Sequence, residues 1–508
     1  MLAPIYTATE IRELERAVQS AVPGVSLMAL AGRAAAEHAR HMAGDHGRTI
    51  LMLAGPGNNG GDAFAAAVHL KSWFYRVTVA FAGNVNHLPT DARSAFESWR
   101  ESGGTTVDSI PAHRVDLIVD GLYGIGLGRP ITGRDALWID WANGRRAQGT
   151  PILALDIPSG IAGDSGEVLG TAIRASETLT FIGLKPGLLT LDGPDHCGLL
   201  HTALLLDQCQ LDAATLLPSH GHYVQTPEHT DWPAPRPRNF HKGRAGSVAV
   251  IGGQAGMVGA AILAARAALH MGAGKVFLGL PEPSALAVDP LTPELIIRAA
   301  DALLTGERLS VLAIGPGLGT DGVAQRLTAQ GLRTDVAAIL DADALNLLST
   351  SQLLQSALAT RHAATVLTPH PAEAGRLLGV STAAVQSDRV RAAREIAKRY
   401  RAIVVLKGNG SIIATADGRY WINGSGNPGM AAAGMGDVLT GMVAGLLAQQ
   451  ADAHGATRLG VWLHGAAGDA LLASGQGPRG LTASELSLAA RRHLNSGPSA
   501  HPTTDPSE

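Results

Sequence analysis

Short apolar runs of strand length alternate with segments of helix length, and this alternation is played out twice along the 508 residues. The first series reads TILMLAG, GGDAFAAAVHLKSWFY, RVTVAFAG, DARSAFESWRESG, VDLIVDG, DALWIDWANGRR and PILALDIPSG. The second reads SVAVIGG, GAAILAARAALHMGA, KVFLGL, SVLAIGPG, AAILDADALNLL, ATVLTPH, REIAKRY and AIVVLKG. Nearly continuous apolar strands separated by helices predict an α/β fold with parallel sheets covered on both faces. Between Leu216 and Arg238 the periodicity stops, and Pro218, Pro227, Pro233, Pro235 and Pro237 oppose any helix or central strand. The expected organisation is therefore a domain at 1–215, a proline-rich linker at 216–238 and a second domain at 239–495. The last residues, SGPSAHPTTDPSE at 496–508, read as a disordered tail. A hairpin is expected where SIIAT and RYWIN flank Ala416-Asp417-Gly418.

Composition narrows the function classes. Hydrophobic residues make up 46% of the chain and aromatics only 4%, with 62 glycines, a balance suited to close helix-on-sheet packing. A net charge of −3 gives no general attraction to nucleic acid or to an anionic membrane, and no apolar run is long enough to span a bilayer. Cys197 and Cys209 are too few for a disulfide framework and lack metal-ligand spacing. The N-terminal MLAPIYTATEIRELERAV carries charges where a signal peptide needs an apolar core, and Thr7 with Glu10 reads as a capping box; a cytoplasmic location is expected.

In open α/β sheets ligands bind at the carboxyl ends of the strands. The glycine-rich and polar segments of this chain fall there. The most informative is Asn427-Pro428-Gly429-Met430-Ala431-Ala432-Ala433-Gly434-Met435-Gly436-Asp437, running into the apolar helix VLTGMVAGLLAQQ. Gly434 and Gly436 allow several amides to converge on a phosphate at the helix start, where the macrodipole adds roughly half a positive charge. Asp437 would be repelled by a phosphate that it merely bound, so its position points to a base that accepts a proton from an attacking hydroxyl. GGQAGMVGAA, GPGLG at Gly315 to Gly319, TPHPAE at Thr368 to Glu373 and KGNGS at Lys407 to Ser411 end neighbouring strands. Each alone has an ordinary reading as a turn, a strand-end histidine or a solvated lysine. Together they describe one crevice.

The first series leads into Gly55-Pro56-Gly57-Asn58-Asn59-Gly60-Gly61-Asp62, a strand-to-helix turn without the lysine of a P-loop, so P-loop nucleotide hydrolysis is disfavoured while phosphate at the helix N-terminus is not. Asp120 in VDLIVDGLYGIGLGR and Asp156 in LALDIPSG end two further strands. Singly each reads as a cap or turn former; together with Asn and Ser oxygens on neighbouring loops they suit a hard cation.

HKGRAGSVAVIGG, GAAILAARAALHMGAGKV, GPGLG, LDADALN, LTPHPAE, VLKGNGS and NPGMAAAGMGD, from Asn239 to Leu494, resemble the ADP-dependent NAD(P)H-hydrate dehydratases of the ribokinase-like superfamily. The resemblance implies that Lys407, Gly408, Asn409, Gly410, Ser411 and Gly436 hold the nucleotide, that Ala260, Gly317, His370 and Asp437 contact the hydrated dinucleotide, and that Glu373 supports Mg2+ through water. SLMALAGRAAAEHA, GNNGGD, VDGLYGIGLGR and ALDIPSG resemble the NAD(P)H-hydrate epimerases, whose fold is Rossmann-like with three layers. That pattern implies K+ on Asn59, Asp120 and Ser159, and the hydrated dinucleotide on Asn58, Asn59, Gly60, Gly61, Asp62, Gly124, Ile125, Gly126, Leu127, Gly128, Arg129, Pro130 and Asp156. Asp156 is the candidate for acid–base work at C6 and Asp437 for the dehydratase. Ala63 and Ala29 depart from the usual epimerase pattern without removing a ligand. The resemblances imply a bifunctional repair enzyme that returns NADHX and NADPHX to NADH and NADPH, with ADP as phosphoryl donor. Expected partners are these small molecules and further copies of the chain, with neither nucleic acid nor membrane. The alternatives are a ribokinase-like kinase of a small alcohol, and an N-terminal domain that only binds.

Overall fold

The computed structural model describes residues 2–44, 47–81, 83–209, 211–282, 286–449 and 452–497. The chain divides into two compact units, the first from Ala3 to Gly221 and the second from His222. The division falls inside the proline-rich stretch, which itself carries the short strand Gly221–Val224 and a turn at His229–Asp231. Asp231 is buried there against Arg458, its Oδ1 2.5 Å from Nη2. Most of the expected tail, from residue 498, lies outside the described residues.

The first unit is built on a seven-stranded sheet in the order Thr106–Val107, Arg76–Phe81, Thr49–Ala54, Leu117–Gly121, Ile152–Leu155, Glu177–Phe181 and Leu199–Ala203. All pairings are parallel. Strands such as ILMLA are buried because helices cover both faces. The chain steps outward from Thr49–Ala54, then restarts at Leu117–Gly121 on the other side. That reversal opens a crevice beyond Ala54 and Gly121, which face each other in register. The predicted capping box opens the helix Ala8–Ala21, Thr7 and Glu10 bonding each other's backbone amides. The helix Leu27–Ala43 buries Ala31, Ala35, Ala36 and Ala39.

In the second unit seven strands run parallel in the order Ile403–Leu406, Thr365–Leu367, Ala337–Leu340, Val311–Ile314, Ser247–Ile251, Lys275–Leu280 and Ile296–Ala299. The expected hairpin follows Ile403–Leu406 as the antiparallel strands Ile412–Ala414 and Tyr420–Asn423, turning at Gly418 with φ +91°. Here the reversal lies between Ser247–Ile251 and Val311–Ile314. The helix Met435–Leu447 packs against the helix Val258–His270 through Gly441 and Gly445, where a Cβ would lie 2.0 Å from Ala264 O and 2.4 Å from Ala268 O. Only glycine permits that backbone approach, and it fixes the helix start that carries Asp437. Among the described residues no helix is long and apolar enough to cross a membrane.

Candidate active sites

In the second unit the five strand-end segments come together at the carboxyl edge of the sheet. Gly434 caps the helix Met435–Leu447 in the left-handed region, φ +85°, leaving first-turn amides free to face an anion with Asp437 among them. A Cβ on Gly436 would lie 3.2 Å from Lys407 Nζ, so the helix start and the end of the strand Ile403–Leu406 meet at this point. Lys407 Nζ donates to Asp341 Oδ1 at 2.7 Å and stands 4.0 Å from Glu373 Oε2. Burial opposes the Lys407 charge, but Asp341, Glu373 and Asp437 outweigh it and raise the pKa. Thr440 Oγ1 donates to the other oxygen of Asp341 at 2.8 Å. Burial, reinforced by Asp341 and Asp343 and opposed by Lys407, pushes Asp437 up to about 6. It is therefore a base with a proton affinity near neutrality. Burial similarly pushes Glu373 up to about 7.

His370 caps the helix Pro371–Leu378, its Nδ1 accepting from Ala372 N at 3.1 Å while Glu373 Oε2 accepts from His370 N at 2.8 Å. The fold therefore uses one face of His370 and leaves Nε2 toward Glu373 Oε1, 3.4 Å away. Gly317 has φ +57°, and a Cβ there would lie 3.2 Å from Ala260 Cβ, so these two predicted contacts are neighbours. In the loop Lys407 to Ser411, Ser411 Oγ donates to Gly408 O at 2.9 Å and accepts from Gly408 N at 3.2 Å. The buried Arg389 guanidinium holds this loop from beneath, donating to Leu406 O at 3.4 Å and Lys407 O at 3.3 Å. Asp341, Thr440 and Arg389 were not singled out from the sequence. Asp341 lies in the LDADALN segment, where a carboxylate directly after a buried strand was the available signal.

In the first unit a cleft of about 720 Å³ is lined by Asn58, Asn59, Asp62, the loop Gly124 to Arg129, and Asp156. Gly60 and Gly61 lie behind this surface, buried in the helix Asn58–Ser72, and Pro130 is exposed beyond the loop. Asp120 is fully buried; its Oδ1 accepts from Ser159 Oγ at 2.6 Å and its Oδ2 from Ser159 N at 2.8 Å. Burial, opposed by those hydrogen bonds, pushes Asp120 up to about 6. Asn59 is buried with neither amide atom hydrogen-bonded. A Cβ on Gly124 would lie 3.4 Å from Asn59 Cβ and 3.5 Å from Asp156 Oδ2, so Asn59 and Asp156 both pack against the open face of that glycine.

Asp156 takes φ +64°, an uncommon conformation for a non-glycine residue and one concentrated at functional sites. The turn aims its carboxylate at Lys185, which is completely buried and 2.5 Å from Asp156 Oδ1. Lys185 Nζ also donates to Thr180 Oγ1 and Phe181 O, both at 2.8 Å. Burial raises Asp62 well above the usual carboxylate range, with Asp156 and Glu15 adding to the effect and Lys185 opposing it. Glu15, from the helix Ala8–Ala21, is raised chiefly by burial and then by Asp156. Lys185, Glu15 and Arg12, all lining the cleft, were missed from the sequence.

A family model described as NAD(P)H-hydrate dehydratase matches residues 248–491, and one described as YjeF-related protein N-terminus matches residues 24–187. The bifunctional NAD(P)H-hydrate repair enzyme Nnr of Coxiella burnetii is 38% identical over 501 residues, covering 95% of this chain and 97% of that one. Its namesake from Escherichia coli is 37% identical over 500 residues, covering 97% and 94%. A crystal structure of ADP/ATP-dependent NAD(P)H-hydrate dehydratase from Bacillus subtilis, co-crystallised with ATP and Mg2+, is 31% identical with a TM-score of 0.48, covering 54% of this chain and 99% of that one. With two relatives aligned over nearly its whole length, this chain belongs to the family of bifunctional NAD(P)H-hydrate repair enzymes.

Proposed function

We propose that the first unit interconverts the R and S epimers of NADHX and NADPHX, and that the second dehydrates the S form with ADP, releasing NAD(P)H, AMP and phosphate. The observation that carries this reading is the placement of Asp437, a base with a pKa of about 6, in the first turn of a glycine-capped helix beside Lys407. In this reading Asp437 accepts the proton of the C6 hydroxyl as that oxygen attacks the β-phosphorus of ADP, and the bond to the α-phosphate oxygen breaks to release AMP. The ring-nitrogen lone pair then expels phosphate from C6, and loss of the C5 proton restores the dihydronicotinamide double bond. Lys407 and the helix amides neutralise charge on the transferring group, which is most of what phosphoryl transfer asks of a protein. The loop Lys407 to Ser411 with Gly436 holds the nucleotide; Ala260, Gly317 and His370 hold the dinucleotide. Glu373 and Asp437 supply oxygen donors that fit Mg2+; these residues would hold the ion, which would supply positive charge to the transferring phosphoryl group.

In the first unit Asp156, ion-paired to Lys185, is the proton acceptor, and Asp62, whose carboxyl burial raises well above the usual range, is the candidate donor. The phosphates of the hydrated dinucleotide lie at the start of the helix Asn58–Ser72 and along the loop Gly124 to Pro130. The unbonded Asn59 amide and the Asp120–Ser159 pair supply oxygens that fit K+, which would balance the buried Asp120 charge and draw the substrate phosphates. A raised folded-state pKa means that the Asp120 contribution to stability is greatest in acid and is lost as pH rises through about 6. A bound cation reverses that loss. Above pH 7, KCl is therefore expected to stabilise the first unit by about 1–3 kcal/mol over choline chloride of equal strength, and Asp120→Asn to abolish the difference in thermal midpoint. Equal midpoints in the two salts would remove K+ from the site.

The function is tested by absorbance recovery at the dihydronicotinamide band from mixed R and S NADHX with ADP, ATP or no nucleotide. Full nucleotide-dependent recovery, faster than spontaneous epimerisation, is expected. Recovery that stops at the S fraction would overturn the epimerase, and none at all would leave the small-alcohol kinase as the better reading.

A further inference from the structure

We propose that His38, Glu177 and His201 form a binding site on the first unit for a borderline divalent transition-metal ion, of which zinc is the type. Three elements bring the side chains together. His38 projects from the helix Leu27–Ala43, Glu177 opens the strand Glu177–Phe181, and His201 sits mid-strand in Leu199–Ala203. Glu177 pairs with Leu199 and Leu179 with His201, so the two-residue side-chain period puts Glu177 and His201 on one face. Their ligand atoms and that of His38 all lie within 4.8 Å of one another. Glu177 Oε2 is 2.7 Å from His38 Nε2 and 3.0 Å from His201 Nε2, and the two imidazole centroids are 4.6 Å apart.

A hydrogen bond accounts for His38 and Glu177. It does not account for His201, whose Nε2 is buried and close to the carboxylate yet makes no hydrogen bond. A metal ion satisfies both nitrogens and the oxygen at once. Tetrahedral bonds of about 2.1 Å put ligand atoms about 3.4 Å apart, so the cluster needs only small side-chain rotations to admit the ion. Two imidazoles with one carboxylate select zinc and its neighbours over magnesium or calcium, which take oxygen donors. Side-chain exposures of 15%, 21% and 31% for His38, Glu177 and His201 leave an entry path and room for a water as fourth ligand.

The site is distinct from the epimerase cleft. Glu177 begins the strand whose last residue, Phe181, lines that cleft, and the strand places the two about 13 Å apart. The helix that carries His38 also contributes Leu27 and Met28 to the cleft from its opposite end. The ion would thus tie this helix to two adjacent strands and brace one wall of the cleft from behind.

The test is Zn2+ titration of the full-length, chelator-stripped protein against a chromophoric chelator. One equivalent is expected to bind with a Kd of about 1 µM or tighter, weakened about 100-fold in His201→Ala and in Glu177→Gln and unchanged in His113→Ala. Co2+ in place of Zn2+ should give the visible bands of a four-coordinate ion, lost in His38→Ala, while far-UV circular dichroism confirms that each variant is folded. Binding weaker than about 10 µM, or affinity indifferent to both Glu177→Gln and His201→Ala, would overturn the site.

Discussion

Asp437→Asn is expected to lower kcat for ADP-dependent dehydration of (S)-NADHX by about a thousandfold, while KM for ADP stays within about threefold. Asparagine keeps the size of the side chain and its place in the first turn of the helix Met435–Leu447, so the phosphate amides are undisturbed. What it removes is the group proposed to take the hydroxyl proton. Its pKa of about 6 also fixes the sign of the pH dependence: the carboxylate is the active form, so the wild-type rate should fall tenfold per pH unit below about 6 and flatten above it. The variant should show a small rate without that limb. Epimerisation, which we propose for the other unit, should be unchanged in the same molecule. A loss of less than tenfold, or an equal loss of both activities, would show that Asp437 is not the base.

The start of the helix Met435–Leu447 was legible because its determinants are local in sequence. Gly434, Gly436 and Asp437 lie within four residues, and their spacing puts a carboxylate in a glycine-capped first turn, as the structure has it. The Asp120–Ser159 pair was legible for another reason: two strands read as parallel neighbours carry their polar loops to the same edge, and the structure joins those loops through a 2.6 Å hydrogen bond. What the sequence withheld are groups whose role comes only from tertiary approach. Asp341 and Thr440 lie 99 residues apart, and Arg389 acts through backbone carbonyls that no side-chain pattern advertises.

Lys185 shows the same limit at the scale of one element. It follows the strand Glu177–Phe181, which a search for apolar runs passes over because Thr178 and Thr180 are fully buried within it. Thr178 Oγ1 donates to Cys197 O at 2.7 Å and Thr180 Oγ1 accepts from Lys185, so both hydroxyls are satisfied and the strand can be central while reading as polar. With that strand unread, its terminal loop was unread as well, and the buried lysine went with it. The metal-site residues Glu177 and His201 belong to the same pair of strands and escaped for the same reason.

The second large effect expected is in that pair. Asp156→Asn should lower epimerisation by about a thousandfold and leave dehydration of the S form intact, since Asp156 belongs only to the first cleft. Lys185→Met should do more than slow the reaction. The methionine fills the space of the lysine stem but leaves Asp156, Thr180 Oγ1 and Phe181 O without their shared donor, and it removes the cation that faces Asp62 and Glu15. Breaking a buried ion pair from one side costs about 3–5 kcal/mol, and the low end applies here because Asp156 keeps some contact with solvent, its side chain 13% exposed. Urea unfolding of the first unit should therefore show a loss of about 3 kcal/mol in Lys185→Met. The double variant Asp156→Asn with Lys185→Met should be more stable than the sum of the single losses, because the second change removes the charge that the first left alone. Strict additivity, with epimerisation unchanged in Lys185→Met, would show that the 2.5 Å contact is incidental and that the lysine neither holds nor charges the Asp156 carboxylate.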